Sequence, residues 1–366
     1  MAEVRIALQK DKNDFYRLWK ICFGDSDAFC DWFFENRFSP EHSVVLEYDK
    51  KTVSCMQAFP YTLLIRGKEI PGAMLCGVST HPNERKKGHM GKVFSYEMNH
   101  LRKMGFLAAV HTPAVLPSYF SFGHFPVADA NYLECPSVPV FESKVKLISV
   151  KEKDWCKLYP LYNQVSRKYS GIIKRTEADF LRKAADYSAD GGKCVAYVKN
   201  NEIKGYAFYY DTEEMLLCVE VISADGFYHK LMEGLLTEAI GRSFSAKLPP
   251  ELFLSFPFTK CVRKQKGVMG LCNISELLKK LQFEIPYTFR IYDNVVPENN
   301  GVYYFNGDSS NDDPVFEISA GHILQVLVGY YSLSELKHQI TIFNIEKFEE
   351  IDKLLPKQKC YIIDEY

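Results

Sequence analysis

The sequence predicts an α+β protein: two tandem domains, each a mixed sheet with flanking helices, followed by a third, smaller α/β domain. Three observations predict it. Helical spacing gives way to a run of strand patterns within the first 140 residues. The same order of elements returns over 141–265. From 266 the order changes, and the chain closes on an apolar and aromatic stretch that includes Tyr361, Ile362, Ile363 and Tyr366. A chain of 366 residues has room for about two to three domains.

In the first domain, 1–140, Phe15, Leu18, Trp19, Cys22 and Phe23 fall on one face of a helix. Gly24-Asp25-Ser26 reads as a turn, and a second short helix carries Phe29, Trp32 and Phe33. Strand patterns follow at 44–48, 52–59, 61–66 and 70–80, with a tight turn at Gly67-Lys68. The stretch 81–91 then leads into a helix whose buried stripe is Met90, Val93, Phe94, Glu97, Leu101 and Met104. Only Glu97 is polar on it. A strand at 106–111 and a loop bounded by Pro113 and Pro117 lead to Tyr119. A linker at 136–143, with Pro136 and Pro139, closes the domain.

The second domain, 141–265, predicts helices at 153–168 and 177–185, strands at 194–199, 202–211 and 215–223, a helix at 227–243 and a strand at 251–257. It reads as the first domain again without its glycine loop, with Ala224-Asp225-Gly226-Phe227 in the loop's place. The third domain, 266–366, predicts a helix at 274–281, strands at 285–292 and 302–305, a polar loop at 306–313, and helices at 320–330, 333–338 and 345–355.

Composition narrows the function. The net charge is −1 and no domain is basic, which argues against nucleic acid as a partner. The densest positive stretch outside the first domain, Lys260, Arg263, Lys264 and Lys266, reads as a solvated linker. Eleven cysteines, an odd number with no Cys-x-x-Cys, read as free thiols of a reducing cytosol. The first ten residues lack a signal-peptide core, and no apolar run approaches the ~18 residues of a membrane span, so the expectation is a cytoplasmic protein. The nine histidines show no ligand-like pairing, and no metal is expected.

The chemistry gathers at 85–91. A strand-to-helix loop leaves the N–H groups of the first helical turn without partners, and the helix dipole adds positive potential. Glycines let a pyrophosphate approach the backbone, and Arg85, Lys86 and Lys87 add charge-assisted bonds. The pattern Arg-x-x-Gly-x-Met-Gly resembles the acetyl-CoA loop of GNAT acetyltransferases, Gln/Arg-x-x-Gly-x-Gly/Ala, departing from it at Met90. On that resemblance Arg85, Lys86, Lys87, Gly88, His89, Met90 and Gly91 bind acetyl-CoA, and the strand before them offers the backbone of Val78 and Thr80 to the pantetheine arm. Tyr119-Phe120-Ser121-Phe122-Gly123-His124 resembles the GNAT Tyr-x-x-x-Gly-Phe segment, whose Tyr protonates the departing CoA thiolate. A phenol near pKa ~10 can donate to a thiolate whose parent thiol lies near ~8.5. A packed core tyrosine is the alternative.

A sharper resemblance covers essentially the whole chain. The segment from Gly77 to Met90 is similar to the Val-x-Pro-x-x-Arg-Arg-Arg-Gly-Leu-Leu region of the Eis (enhanced intracellular survival) acetyltransferases, where a bulky apolar residue at the position of Met90 is usual. Tyr119 to His124 resembles that family's Tyr-Gly-Arg-Phe-Gly-Tyr, and Leu271-Cys272-Asn273-Ile274 and the aromatic C-terminus resemble the start and end of its third domain. The resemblance implies a catalytic GNAT domain, a degenerate second one, a sterol-carrier-protein-like third and a hexameric homo-oligomer. It implies an N-acetyltransferase that moves acetyl to an amine on a small molecule or a peptide lysine. Its base would be the terminal α-carboxylate of Tyr366, and Phe23, Asp25, Trp32 and Glu365 would line the acceptor pocket, with a shorter Asp25-to-Trp32 spacing than the family's. Two alternatives stay open: an N-myristoyltransferase-like long-chain acyltransferase and a non-catalytic lipid- or acyl-CoA-binding protein.

Overall fold

The computed structural model describes residues 2–365. The first domain is built on a strand β1 (Glu3–Ile6), helices α1 (Lys12–Phe23) and α2 (Asp27–Arg37), strands β2 (Ser43–Tyr48), β3 (Lys51–Ile65) and β4 (Lys68–Thr80), helix α3 (His89–Lys103) and strand β5 (Ala108–His111). Strands β1 to β4 pair antiparallel in order, and β5 joins β4 in parallel. The patterns at 52–59 and 61–66 are one continuous strand, β3, running through Pro60. Pro60 lies between the end of the β2 ladder at Gln57 and the start of the Ile172–Lys174 ladder at Thr62. On that side the strand is locally an edge, where a missing N–H costs little.

Strand pairing crosses the expected limits at 140 and 265. The strand Asp129–Cys135 belongs to the second sheet, between Ser243–Leu248 and Lys260–Gln265. The strand Val268–Leu271 returns to the first sheet, between β5 and Phe125–Pro126. The first sheet therefore has eight strands drawn from three stretches of chain. The basic stretch expected as a linker is itself an edge strand: Lys260 and Lys264 pair with Glu134 at 3.4 and 2.8 Å across the ladder. Such charges suit an edge that must stay unpaired.

The second sheet has seven strands. Its Met215–Ser223, Tyr228–Glu238 and Ser243–Leu248 repeat the parallel strand–helix–strand unit of β4, α3 and β5. The third domain has a four-stranded sheet with helices Ile274–Leu281, Ala320–Val328 and Ile345–Leu354, and its core rings Phe289, Phe305, Phe316 and Phe348 pack at 4.7–5.7 Å between centroids. The stretch expected as a helix at 333–338 forms turns and the short 3₁₀ segment Lys337–Gln339. Arg66, at the β3–β4 turn, donates to the carbonyls of Val326 and Leu327 at 3.0 and 2.8 Å, and so caps the end of Ala320–Val328. That contact ties the third domain to the first.

Two features of the first domain shape the site. The β4–β5 ladder covers only Gly72–Met74 against Ala108–Val110, after which β4 runs six residues further to Thr80. There Met56 faces both Gly77 and Val78, a bulge with Gly77 in the left-handed region at φ +60°. A bulge bends and twists its strand, so β4 turns away from β5 and leaves one edge open. A Cβ on Gly77 would stand 2.7 Å from the ring of Trp19. Second, Glu97 is fully buried on α3, and neither carboxylate oxygen has a hydrogen-bond partner among the described residues. Burial pushes its carboxyl up to about 8.

Two outcomes follow. Gly77→Val places a β-branched side chain at positive φ against Trp19, and should cost about 1–3 kcal/mol in urea unfolding. For Glu97, the folded pKa lies above the unfolded value of about 4.3. Between these two values the folded chain keeps a proton that the unfolded chain has lost, so stability falls as pH rises through that window. Glu97→Gln should flatten the drop of Tm between pH 5 and 8, measured by calorimetric scans.

Candidate active site

Strand β4 delivers the chain to Pro82–Glu84, a 3₁₀ turn, and α3 begins at His89. Lys86 and Gly88 both adopt positive φ, +64° and +77°, which turns the backbone back on itself. Gly88 is the N-cap of α3 and no side chain caps the helix. The first-turn N–H groups, those of His89, Met90 and Gly91, therefore lack helical acceptors and sit at the positive end of the dipole. Arg85 reaches back to the open edge of β4, donating Nε to the Thr80 carbonyl at 3.2 Å, with Nη2 3.7 Å from the Cys22 thiol. Val78 and Thr80 are half-buried on that stretch. Lys87 pairs with Glu84 at 3.0 Å, and the buried His89 ring comes within 3.4 Å of the same carboxylate. Gly91 has a packing reason of its own: a Cβ there would stand 3.3 Å from the ring of Phe122.

Phe122 belongs to Leu116–Phe122, the 3₁₀ turn that carries Tyr119. It stacks on Phe94 of α3 at 4.9 Å, so the loop's helix and the tyrosine's turn are packed as one unit. The Tyr119 ring packs on Phe94, at 5.8 Å, and on His111, at 4.4 Å in a T-shaped contact, and those two rings also meet each other at 6.1 Å. Burial raises its phenol above the usual value, which keeps it protonated. The third domain backs this turn. Helix Ala320–Val328 approaches so closely that a Cβ on Gly321 would fall 2.3 Å from the Gly123 carbonyl. His322 stacks on Phe125 at 4.3 Å, and Gln325 donates to the Pro126 carbonyl at 2.6 Å.

The end of the chain runs as a strap between the first two domains, with Cys360 to Asp364 buried. Charge holds it. Arg175 donates Nε to Asp364 at 3.0 Å and both terminal nitrogens to Glu220 at 3.1 and 2.8 Å. Tyr206 and Tyr187 complete Glu220 at 2.8 and 3.3 Å, and the Tyr162 ring lies under the guanidinium at 4.6 Å. Glu365 meets Lys247 at 2.6 Å and Lys266 at 3.0 Å, and its carbonyl accepts from Lys183 at 2.6 Å. Burial works to raise the Glu365 carboxyl, but the two ammonium groups outweigh it and hold it below the ordinary value. Burial likewise lowers Lys183 to about 8 against the pull of Asp186 and Asp364. Tyr366, the residue that the family resemblance points to as the base, lies outside the described residues.

Beside the strap is a cavity of about 260 Å³. The first domain contributes Trp19, Asp25, Phe29 and Thr112, the second Lys183, Asp186, Tyr187, Asp190 and Tyr210, and the strap Glu365. Asp25 accepts from the Trp19 indole at 2.7 Å, and burial raises the Asp190 carboxyl. Thr112 directly follows His111, the residue against Tyr119, so the cavity lies next to the point where β4 and β5 part. Of the acceptor residues inferred from sequence, Asp25 and Glu365 line this cavity. Phe23 packs on the outer side of Trp19 at 4.9 Å, and Trp32 packs among the rings of α1 and α2. Trp19 and Phe29 occupy the same two helices and are reachable from the same face pattern. Asp186, Tyr187, Asp190 and Tyr210 carry no local signal, because their meaning comes only from the docking of the second domain on the first.

Among the described residues no group of three or more His, Cys, Asp or Glu side chains is arranged to hold a metal ion, and no helix is long and apolar enough to cross a membrane. By sequence, the acetyltransferase (GNAT) domain family matches residues 3–127 and the sterol carrier protein domain family matches 274–363. No curated protein matches the chain by sequence. By structure, the chain is similar to a GCN5-related N-acetyltransferase from Anabaena variabilis, with a TM-score of 0.82 at 13% identity. It is similar to a protein of unknown function from Enterococcus faecalis, a probable N-acyltransferase, with a TM-score of 0.82 at 16% identity. It is similar to Eis1 from Mycobacterium abscessus, with a TM-score of 0.78 at 11% identity. Each comparison covers 100% of both chains, and at these identities the likeness is one of fold. The chain thus carries a GNAT acetyltransferase domain at one end and a sterol carrier protein domain at the other, and over its whole length it shares the fold of Eis1 from Mycobacterium abscessus.

Proposed function

We propose that the protein is an N-acetyltransferase that moves acetyl from acetyl-CoA to a primary amine by direct attack. The observation that carries the proposal is a convergence. The strap's Glu365 and Thr112 line one acid-rich cavity, Thr112 follows the His111 that packs on Tyr119, and the Tyr119 turn packs through Phe122 on Phe94 and Gly91 of α3, the helix whose start is uncapped.

The pyrophosphate of the donor binds at the N–H groups of His89 to Gly91, with Arg85, Lys86 and Lys87 around it. Its pantetheine arm lies along Val78 and Thr80, adding itself to the unpaired edge of β4 as a further strand would. The acceptor amine enters between Trp19, Phe29 and Asp25, where rings and a carboxylate favour a cation. It must lose a proton before it attacks the thioester carbonyl. The α-carboxylate of Tyr366, next to Glu365, takes that proton. As the tetrahedral intermediate collapses, the C–S bond breaks and Tyr119 gives its proton to the thiolate of CoA; the nitrogen releases its second proton to solvent, solvent reprotonates the phenol, and the neutral amide leaves. Burial raises the phenol, so Tyr119 arrives at this step protonated.

The test is release of CoA thiol from acetyl-CoA, followed with a thiol-reactive dye across monoamines, polyamines, aminoglycosides and lysine peptides. Turnover with one amine class and acetylation of that amine by mass spectrometry are expected. Tight acetyl-CoA binding with no turnover on any amine would overturn the reading in favour of a binding protein.

Two further outcomes are expected. Tyr119→Phe should lower kcat by about 10²-fold or more with KM for acetyl-CoA nearly unchanged, as loss of a general acid does. Arg175→Met strands Glu220 and Asp364 in the interior and should cost about 3–5 kcal/mol in denaturant unfolding. Folded Arg175→Met protein should bind acetyl-CoA normally but turn over slowly, because the strap is no longer held in register.

A further inference from the structure

Beneath Tyr119 lie two buried histidines that the proposed chemistry does not use. His111 is the last residue of β5, at the point where it parts from β4, and its ring edge packs on Tyr119 at 4.4 Å. Its Nε2 lies 3.1 Å from Nδ1 of His124. His124 is fully buried and meets Phe94 edge to face at 4.7 Å. Its Nε2 has no hydrogen-bond partner among the described residues. That nitrogen fits only because residue 270 is a glycine: a Cβ there would stand 1.9 Å from it. Gly270 sits on Val268–Leu271, the strand that returns to the first sheet from beyond the second domain, and it pairs with Ala109 of β5.

This arrangement is costly. Two imidazoles are buried beside an otherwise apolar cluster around α3, one of them with an unsatisfied nitrogen, where phenylalanine would fill the space at no polar cost. Burial keeps both rings neutral: it lowers His111 to about 3 and His124 well below the ordinary value, with His111 adding to the latter. Two neutral rings in contact share one proton across the 3.1 Å gap, which fixes their relative orientation. Tyr119 has need of such fixing. It sits on a 3₁₀ turn, where the backbone bonds around it are Gly123 N–H to Phe120 and His124 N–H to Tyr119 at 3.1 and 3.3 Å. A productive acid must be held within about half an ångström of its target.

We propose that the His111–His124 hydrogen-bonded pair, seated against Gly270, is the positioning device that fixes the Tyr119 phenol for proton transfer. The inference rests on the reading of Tyr119 as general acid. Phe94 and His111, themselves in ring contact, both pack on the phenol ring, and His124 locks His111. The inserted strand thereby reaches the reacting centre through Gly270, without touching substrate.

The test is a double-mutant cycle with the acetyl-transfer assay, backed by melting temperature and by acetyl-CoA calorimetry. His111→Phe and His124→Phe keep ring packing but remove the hydrogen bond. Each should lower kcat about tenfold or more while KM for acetyl-CoA and acetyl-CoA affinity stay within twofold. His124→Asn, whose amide can reach the position of Nδ1, should recover most of that loss. Gly270→Ala, which pushes the His124 ring away, should reproduce it. In a Tyr119→Phe background, His111→Phe should cause no further loss of kcat. Crystals of His124→Phe should show Tyr119 in more than one rotamer, a readout that needs no turnover. Unchanged kcat in His111→Phe and His124→Phe, an equal loss repeated in the Tyr119→Phe background, or a single unaltered Tyr119 rotamer would overturn the inference. Full turnover by Tyr119→Phe alone would remove the acid reading and this inference with it, whereas a slow Tyr119→Phe beside fully active histidine variants would remove only the inference.

Discussion

Much of this molecule depends on one buried cation. Arg175, Glu220 and Asp364 are each about 1% exposed, and a single guanidinium serves both carboxylates. Taking these charges out of water is expensive, and their mutual attraction roughly offsets it rather than adding net stability. Their weight lies in register. A strap shifted by one residue would swing Asp364 away from Arg175 and leave charges stranded in the interior. The observed arrangement puts Asp364 on Arg175 and Glu365 between Lys247 and Lys266. That arrangement also brings Glu365 to the wall of the cavity shared by the first two domains.

The third domain has a part in this that its fold family alone would not suggest. Its helix Ala320–Val328 is capped by Arg66 from the first domain and lies against the Tyr119 turn at Gly123 and Phe125. From its far end the chain sends out the strap. The domain thus packs against one side of the Tyr119 turn and supplies the segment that lines the cavity, so the first domain is joined by residues about 200 positions or more away in sequence. The strand Val268–Leu271 does similar work within the first sheet, extending it past β5.

What sequence made legible here follows the range of the interactions. The β4–loop–α3 unit declares itself through local spacing, because positive φ at Gly88 and an amphipathic helix are short-range demands. The turn that carries Tyr119 is marked by its own neighbours for the same reason, and Glu97 stands out as the one polar residue on a buried stripe. The strand exchange between sheets left no such trace: Asp129–Cys135 and Val268–Leu271 look like ordinary strands, and only tertiary pairing assigns them. The merged β3 was missed because Pro60 reads as a break unless the gap beside it is known. The cavity was half legible. Asp25 and Glu365 line it, and its first-domain rings, Trp19 and Phe29, lie about one helical turn before Phe23 and Trp32 on the same helices. The Arg175 triad, with partners 45 and 189 residues apart, is beyond any local pattern.

The central claim is that the strap completes the catalytic site by presenting the chain's terminal carboxylate. The measurement that tests it most directly compares the chain ending at Tyr366 with the same chain carrying one added glycine, in acetyl-transfer turnover and acetyl-CoA calorimetry side by side. The account predicts at least a tenfold loss of kcat in the extended chain with acetyl-CoA affinity unchanged, since the added residue moves the carboxylate off the acceptor. Equal turnover by the two chains would contradict it.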